Sequence, residues 1–221
     1  MERDQIRERL EATAIIPIIR TSSTELAARA AHAVVASGID VVEITMNVPD
    51  AVPLLGRLRG EIGSSALLGA GTVLDATTAR ACIAAGAQFI VAPGFDGEVL
   101  EAAHALDRPC IPGALTPTEV IVAWRAGADM VKIFPCSALG GPSYLRQLRG
   151  PLPNVKLLVT GGVDLATAAD YLAAGAAVLG VGGRALGIDS LESEGPAAML
   201  SRCAQLRNIV ITAQTGNHGG S

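Results

Sequence analysis

Of the 17 basic residues in the chain, only Lys132 and Lys156 are lysines; the others are arginines. An arginine does not deprotonate in a protein, whereas a lysine amine can be made neutral and nucleophilic. Lys132 lies in Met130-Val131-Lys132-Ile133-Phe134. Alternation along a strand puts Met130, Lys132 and Phe134 on one face and Val131 with Ile133 on the other. If the β-branched pair packs on helices, Lys132 points inward and burial lowers its pKa from ~10.4. The neutral amine then forms a Schiff base with a carbonyl. The alternative is a strand-end lysine whose head reaches water or a carboxylate. Glu43, in Val41-Val42-Glu43-Ile44-Thr45, is a carboxylate that needs a partner or a neutral form. It fits a base that moves protons beside an imine, or an ion pair with Arg20. The glycine pairs of Thr160-Gly161-Gly162 and Gly182-Gly183-Arg184 suit backbone N–H binding of a phosphate, to which Arg184 adds charge. Tight turns are the plainer reading of both. Gly180 to Ala185 also matches G-x-G-x-x-G/A in form, but no βαβ unit follows it, which argues against a dinucleotide site.

These residues need a scaffold that gathers them. Eight apolar runs read as strands: Ala14–Ile19, Asp40–Thr45, Ala66–Ala70, Gln88–Val91, Pro109–Ile111, Asp129–Phe134, Val155–Val159 and Ala177–Val181. Helical patterns alternate with them, among them Thr24–Ala36, Thr77–Ala85, Pro117–Ala126 and Leu165–Ala174. A charged helix over Asp4 to Glu11 comes first and a last helix covers Glu194 to Ala213. Gly38, Gly86, Gly127 and Gly175 end helices in the left-handed conformation, and Thr116-Pro117 caps one at its start. Strands alternating with helices make a parallel sheet. The expected fold is α/β: a (β/α)8 TIM barrel with an extra N-terminal helix, one domain over residues 1–215 and a flexible tail at 216–221. A doubly wound open sheet is the competing fold. In a barrel the site lies at the C-terminal strand ends. That gathers Arg20, Glu43 with Thr45 and Asn47, Gly71-Thr72, Pro93, Gly113, Lys132 with Phe134, and the two glycine pairs.

Composition excludes several classes. The chain is 50% hydrophobic and 17% charged, too apolar for a disordered protein. A net charge of −4 argues against nucleic-acid binding. The N-terminus carries mixed charges rather than a secretory signal, and no apolar run suits a membrane span. Cys82, Cys110, Cys136 and Cys203 are widely spaced, so neither a disulfide framework nor a zinc site is expected, and a reduced cytoplasmic protein is. His32, His104 and His218 lie away from the strand ends, Cys136 reads as packing, and Trp124 and Tyr171 fit helix positions as interface or core residues.

Val42-Glu43-Ile44-Thr45, Gly69-Ala70-Gly71-Thr72-Val73-Leu74, Gly86 through Gly94, Lys132-Ile133-Phe134-Pro135 and Thr160-Gly161-Gly162-Val163 occur in an order and spacing that resemble the KDPG/KHG aldolase family. These are class I pyruvate aldolases acting on 2-keto-3-deoxy-6-phosphogluconate and 4-hydroxy-2-oxoglutarate. The resemblance runs from Ile15 to Arg184. It implies a homotrimeric barrel with no metal and no cofactor, binding pyruvate and a 2-keto acid. Lys132 would be the Schiff-base lysine and Glu43 the acid/base. Thr72, with Arg20 near it, would hold the pyruvyl carboxylate, and Pro93 and Phe134 would flank the pyruvyl group. Thr160, Gly161, Gly162, Gly182 and Gly183 would face the distal phosphate. Met46-Asn47-Val48-Pro49 looks like the phosphogalactonate branch, Thr160 like the phosphogluconate branch, and Arg184 stands where the family commonly has Ser. Other chemistries on the same barrel are a phosphosugar isomerase or epimerase using Glu43 as base, a noncatalytic phosphometabolite binder, and a metal-dependent aldolase. The last would need a second carboxylate beside Glu43.

Overall fold

A computed structural model describes residues 1–217. Helix α1 (Arg3–Thr13) leads into strand β1 (Ile15–Ile19), and strands then alternate with helices: α2 (Thr24–Ala36), β2 (Val41–Thr45), α3 (Ala51–Ile62), β3 (Leu67–Gly71), α4 (Ala76–Ala84), β4 (Phe89–Val91) and α5 (Gly97–His104). The second half contains β5 (Cys110–Ile111), β6 (Gly113–Ala114), α6 (Pro117–Arg125), β7 (Val131–Ile133), α7 (Pro142–Arg149), β8 (Leu157–Thr160), α8 (Ala168–Ala173) and β9 (Val178–Gly182). Short helices α9 (Gly183–Leu186) and α10 (Leu191–Glu194) precede the long α11 (Pro196–Asn217).

The sheet runs β5-β4-β3-β2-β1-β9-β8-β7-β6, all parallel. Its two ends are consecutive in the chain, so the sheet closes on itself. The expected fifth strand, Pro109–Ile111, forms as Cys110–Ile111, and beyond Pro112, which has no N–H for the ladder, a further short strand follows at Gly113–Ala114. Cys110–Ile111 pairs with β4 and Gly113–Ala114 with β7. A Cβ at Gly113 would lie 2.0 Å from the Pro93 carbonyl oxygen, so this closure needs glycine. The barrel is therefore the expected one, and the open sheet is not formed.

Strand alternation divides the buried residues into two sets. Val42, Ile44, Val131 and Ile133 pack in the large layer between sheet and helices. Ile16, Val41, Leu67, Phe89, Met130, Leu158 and Val178 fill the barrel interior. Ile6 and Leu10 of α1 join that interior set, so α1 plugs the N-terminal mouth. It is tied there by Arg9 to Asp40 at 2.8 Å, Arg3 to Asp129 at 2.9 Å and Lys156 to Glu11 at 2.8 Å.

Two helix boundaries differ from expectation. The run from Leu165 yields a helix only from Ala168, because Asp164 turns the chain first: its Oδ1 accepts the Ala166 and Thr167 N–H groups. The last helix starts at Pro196, after a break at Gly195 (φ +72°), and continues to Asn217. The rest of the expected tail, 218–221 with His218, lies outside the described residues. Among the described residues no helix is long and apolar enough to cross a membrane.

Candidate active site

Lys132 is central on β7 between two outward-packed neighbours, so its side chain points into the barrel above Met130. It is 5% exposed, and its amino group lies 5.2 Å from the Phe134 ring centroid. Burial pulls its pKa down and nearby Arg20 pulls the same way, while Glu43 opposes them. Lys156 is the opposite case: its head is paired with Glu11 at the plugged end of the barrel. Of the two lysines, Lys132 is the one that lines the cavity at the other end of the barrel.

Glu43 occupies the matching interior position on β2. It is 1% exposed, and neither carboxylate oxygen has a hydrogen-bond partner. Burial pushes its pKa up, against the downward pull of Lys132 and Arg20. The alternative of a Glu43–Arg20 ion pair is not formed; Arg20 instead donates to the Thr72 hydroxyl at 3.2 Å. Space for the carboxylate comes from β3. A Cβ at Gly71 would lie 1.8 Å from Glu43 Oε1. An unpaired buried carboxylate and a buried amine in one interior are suited to passing protons rather than to stabilising the fold.

A cavity of about 750 Å³ opens above Lys132. Arg20, Lys132, Phe134, Thr160, Gly161, Gly162, Gly182, Gly183 and Arg184 line it. Nine of the residues singled out from sequence thus converge on one space. Glu43 lies outside its lining, and Thr72 reaches it through Arg20. Thr72 adopts φ +60°, a left-handed turn immediately after β3. Pro93 lies in an adjoining depression of about 330 Å³ that shares Phe134 with the main cavity. Thr160 rests its methyl over Gly180, where a Cβ would come within 2.3 Å. Asn47 is exposed and lines neither space. Asp164 and Asp189 also line the cavity and were missed from sequence. Both follow a strand by several residues, beyond the one or two positions that strand-end reasoning inspects. Among the described residues, no three His, Cys, Asp or Glu side chains cluster to hold a metal ion.

Residues 6–201 match the family described as KDPG and KHG aldolase. The chain belongs to the KDPG and KHG aldolase family. It is therefore an aldehyde-lyase of class I. The 2-dehydro-3-deoxy-phosphogluconate aldolase of Treponema pallidum is 38% identical over 170 residues, covering 76% of this chain and 80% of that one. The 2-dehydro-3-deoxy-6-phosphogalactonate aldolase of Escherichia coli K12 is 36% identical over 169 residues, covering 76% and 82%. Among solved structures, KDPG aldolase from Legionella pneumophila, with pyruvate captured as a covalent carbinolamine, superposes with a TM-score of 0.82 at 30% identity. It covers 90% of this chain and 97% of its own. Phosphogluconate and phosphogalactonate enzymes stand at nearly equal identity, so overall similarity does not choose between their substrates.

Proposed function

We propose that this aldolase reversibly cleaves a 2-keto-3-deoxy-6-phospho sugar acid, of the gluconate or galactonate series, to pyruvate and glyceraldehyde 3-phosphate. The shorter 4-hydroxy-2-oxoglutarate is a second substrate in this reading, because the exposed Arg184 on the cavity wall suits a distal carboxylate as well as a phosphate. The observation that carries the reading is the buried pair Lys132 and Glu43, the amine lining that cavity and the carboxylate left without a hydrogen-bond partner.

In the proposed mechanism, neutral Lys132 attacks the C2 ketone and the carbinolamine loses water to give a protonated imine. Glu43 acts as acid and base in those transfers. With Glu43 assisting, the C4 hydroxyl loses its proton and the C3–C4 electron pair moves into the imine. The aldehyde leaves and an enamine remains. Protonation at C3 and hydrolysis then release pyruvate and restore the amine. Arg20 and Thr72 orient the substrate carboxylate, and Pro93 and Phe134 flank the pyruvyl group. Thr160, Gly161, Gly162, Gly182, Gly183 and Arg184 receive the distal anion. The protonated imine formed on Lys132 is the electron sink for this step.

The deciding experiment is intact mass after incubation with pyruvate and borohydride, followed by peptide mapping. One reduced pyruvyl adduct on Lys132 is expected, and Lys132→Ala should abolish both adduct and turnover. No adduct on folded protein would move the reading to an isomerase, an epimerase or a binding barrel. An adduct on Lys156 alone would locate the chemistry on the wrong strand.

A further inference from the structure

The turn after β8 is braced from behind. Gly161 and Gly162 adopt φ of +84° and +82°. The Gly161 carbonyl accepts the Ser137 N–H at 3.2 Å and the Tyr171 hydroxyl at 3.4 Å. The Gly162 carbonyl accepts the Thr167 hydroxyl at 2.8 Å. In a trans peptide the carbonyl and the following N–H point to opposite sides. Fixing these two carbonyls therefore turns the Gly162 and Val163 N–H groups away from Tyr171 and Thr167. Gly161, Gly162 and Val163 all line the main cavity. Neither of those two N–H groups has an acceptor among the described residues, although Val163 is buried. Buried amides are nearly always satisfied, and successive free N–H groups in a left-handed turn form an anion seat.

We infer that Tyr171 is a positioning residue, whose hydroxyl holds this turn so that the Gly162 and Val163 amides meet the distal anion of the substrate. The inference rests on the retro-aldol reading above and adds to it the side chain that sets affinity at the far end. Tyr171 does not line the cavity; its ring is 1% exposed and packs in the layer between sheet and helices. Gly141 leaves the space the hydroxyl occupies, since a Cβ there would come within 3.1 Å of it. Burial pushes the phenol up to about 12, so it remains a protonated donor throughout the working range. Phenylalanine preserves the ring and removes the brace together with the hydroxyl's contact to the buried Cys136 thiol.

The test is steady-state kinetics of Tyr171→Phe with one 2-keto-3-deoxy sugar acid, supplied with and without its terminal phosphate. KM for the phosphorylated form should rise about 3–10-fold, the equivalent of one hydrogen bond, with kcat little changed. KM for the unphosphorylated form should stay put, and inorganic phosphate should inhibit more weakly by the same factor. Thr167→Val, which frees the neighbouring Gly162 carbonyl and also an Asp164 contact, should give the same split; a Tyr171→Phe variant that does not fold would make the hydroxyl a structural requirement and overturns the inference. Equal loss on both substrates would mean a purely structural tyrosine and overturns the inference. So does an unchanged KM for the phosphorylated form in a variant that still traps pyruvate on Lys132. Wild-type protein that traps no pyruvate at all defeats the aldolase reading, and the inference falls with it.

Discussion

At the scale of single residues, the site works against the stability of the fold. The Glu43 pKa is raised in the folded chain, so its contribution to stability is complete below the unfolded pKa and is lost as pH rises through the folded value. The Lys132 pKa is lowered, so its contribution is complete above the unfolded pKa and is lost as pH falls through the folded value. Near neutral pH both groups therefore oppose folding. Glu43→Gln should lower turnover about 10²–10⁴-fold, the usual range for a lost general acid/base, while leaving the melting temperature equal or higher. The same variant removes the one influence that raises the Lys132 pKa. The pH midpoint for trapping pyruvate with borohydride should then move down, and in Arg20→Gln, where a repelling charge is removed, it should move up. A melting temperature that falls together with activity in Glu43→Gln would make Glu43 a structural residue.

At the scale of elements, what was legible in the sequence follows from periodicity. Val131 and Ile133 flank Lys132, and Val42 and Ile44 flank Glu43, so the outward residues are apolar and the inward ones can be identified by exception. That reasoning extends only as far as a strand does. Asp189 lies past β9 and Asp164 in the turn before α8, where no period marks direction. Tyr171 reads as a core residue because its ring is one; only the convergence of α8 on the β8 turn reveals its hydroxyl. Pro112 is visible in the sequence, but that the short strands on either side of it serve different neighbours is a property of the closed sheet. The role of α1 was also hidden. The sequence shows a charged helix and no more, yet Ile6 and Leu10 are fully buried in the barrel interior. Leu10→Ala should cost about 2–5 kcal/mol of unfolding free energy, as for other large-to-small core substitutions, with kcat little affected, because α1 closes the end opposite the site. Denaturant melts and kinetics on one preparation check this. A loss of kcat without loss of stability would show that α1 reaches the chemistry.

At the scale of the whole molecule, apolar side chains are left exposed at the site end of the barrel. Leu74 follows β3 and Phe95 follows β4, 63% and 37% exposed; Leu139 follows β7 at 42%, and Val122 on α6 is 47% exposed. Phe95, Leu115 and Val122 line the depression that shares Phe134 with the main cavity. Phe134 has a place in the proposed site, but Leu74 and Leu139 line neither the cavity nor the depression, and large apolar side chains left exposed together mark a contact face. The homotrimer implied by family resemblance is proposed to cover it. Light scattering on the eluting protein should give three times the mass of the chain. Val122→Asp, which places a charge in that face, should shift the mass toward a single chain without unfolding it. Because the covered depression adjoins Phe134, kcat/KM should fall along with the loss of assembly, while pyruvate trapping on Lys132 persists. A wild-type protein of single-chain mass at assay concentration, and fully active, would leave the exposed residues without this explanation and the trimer without support.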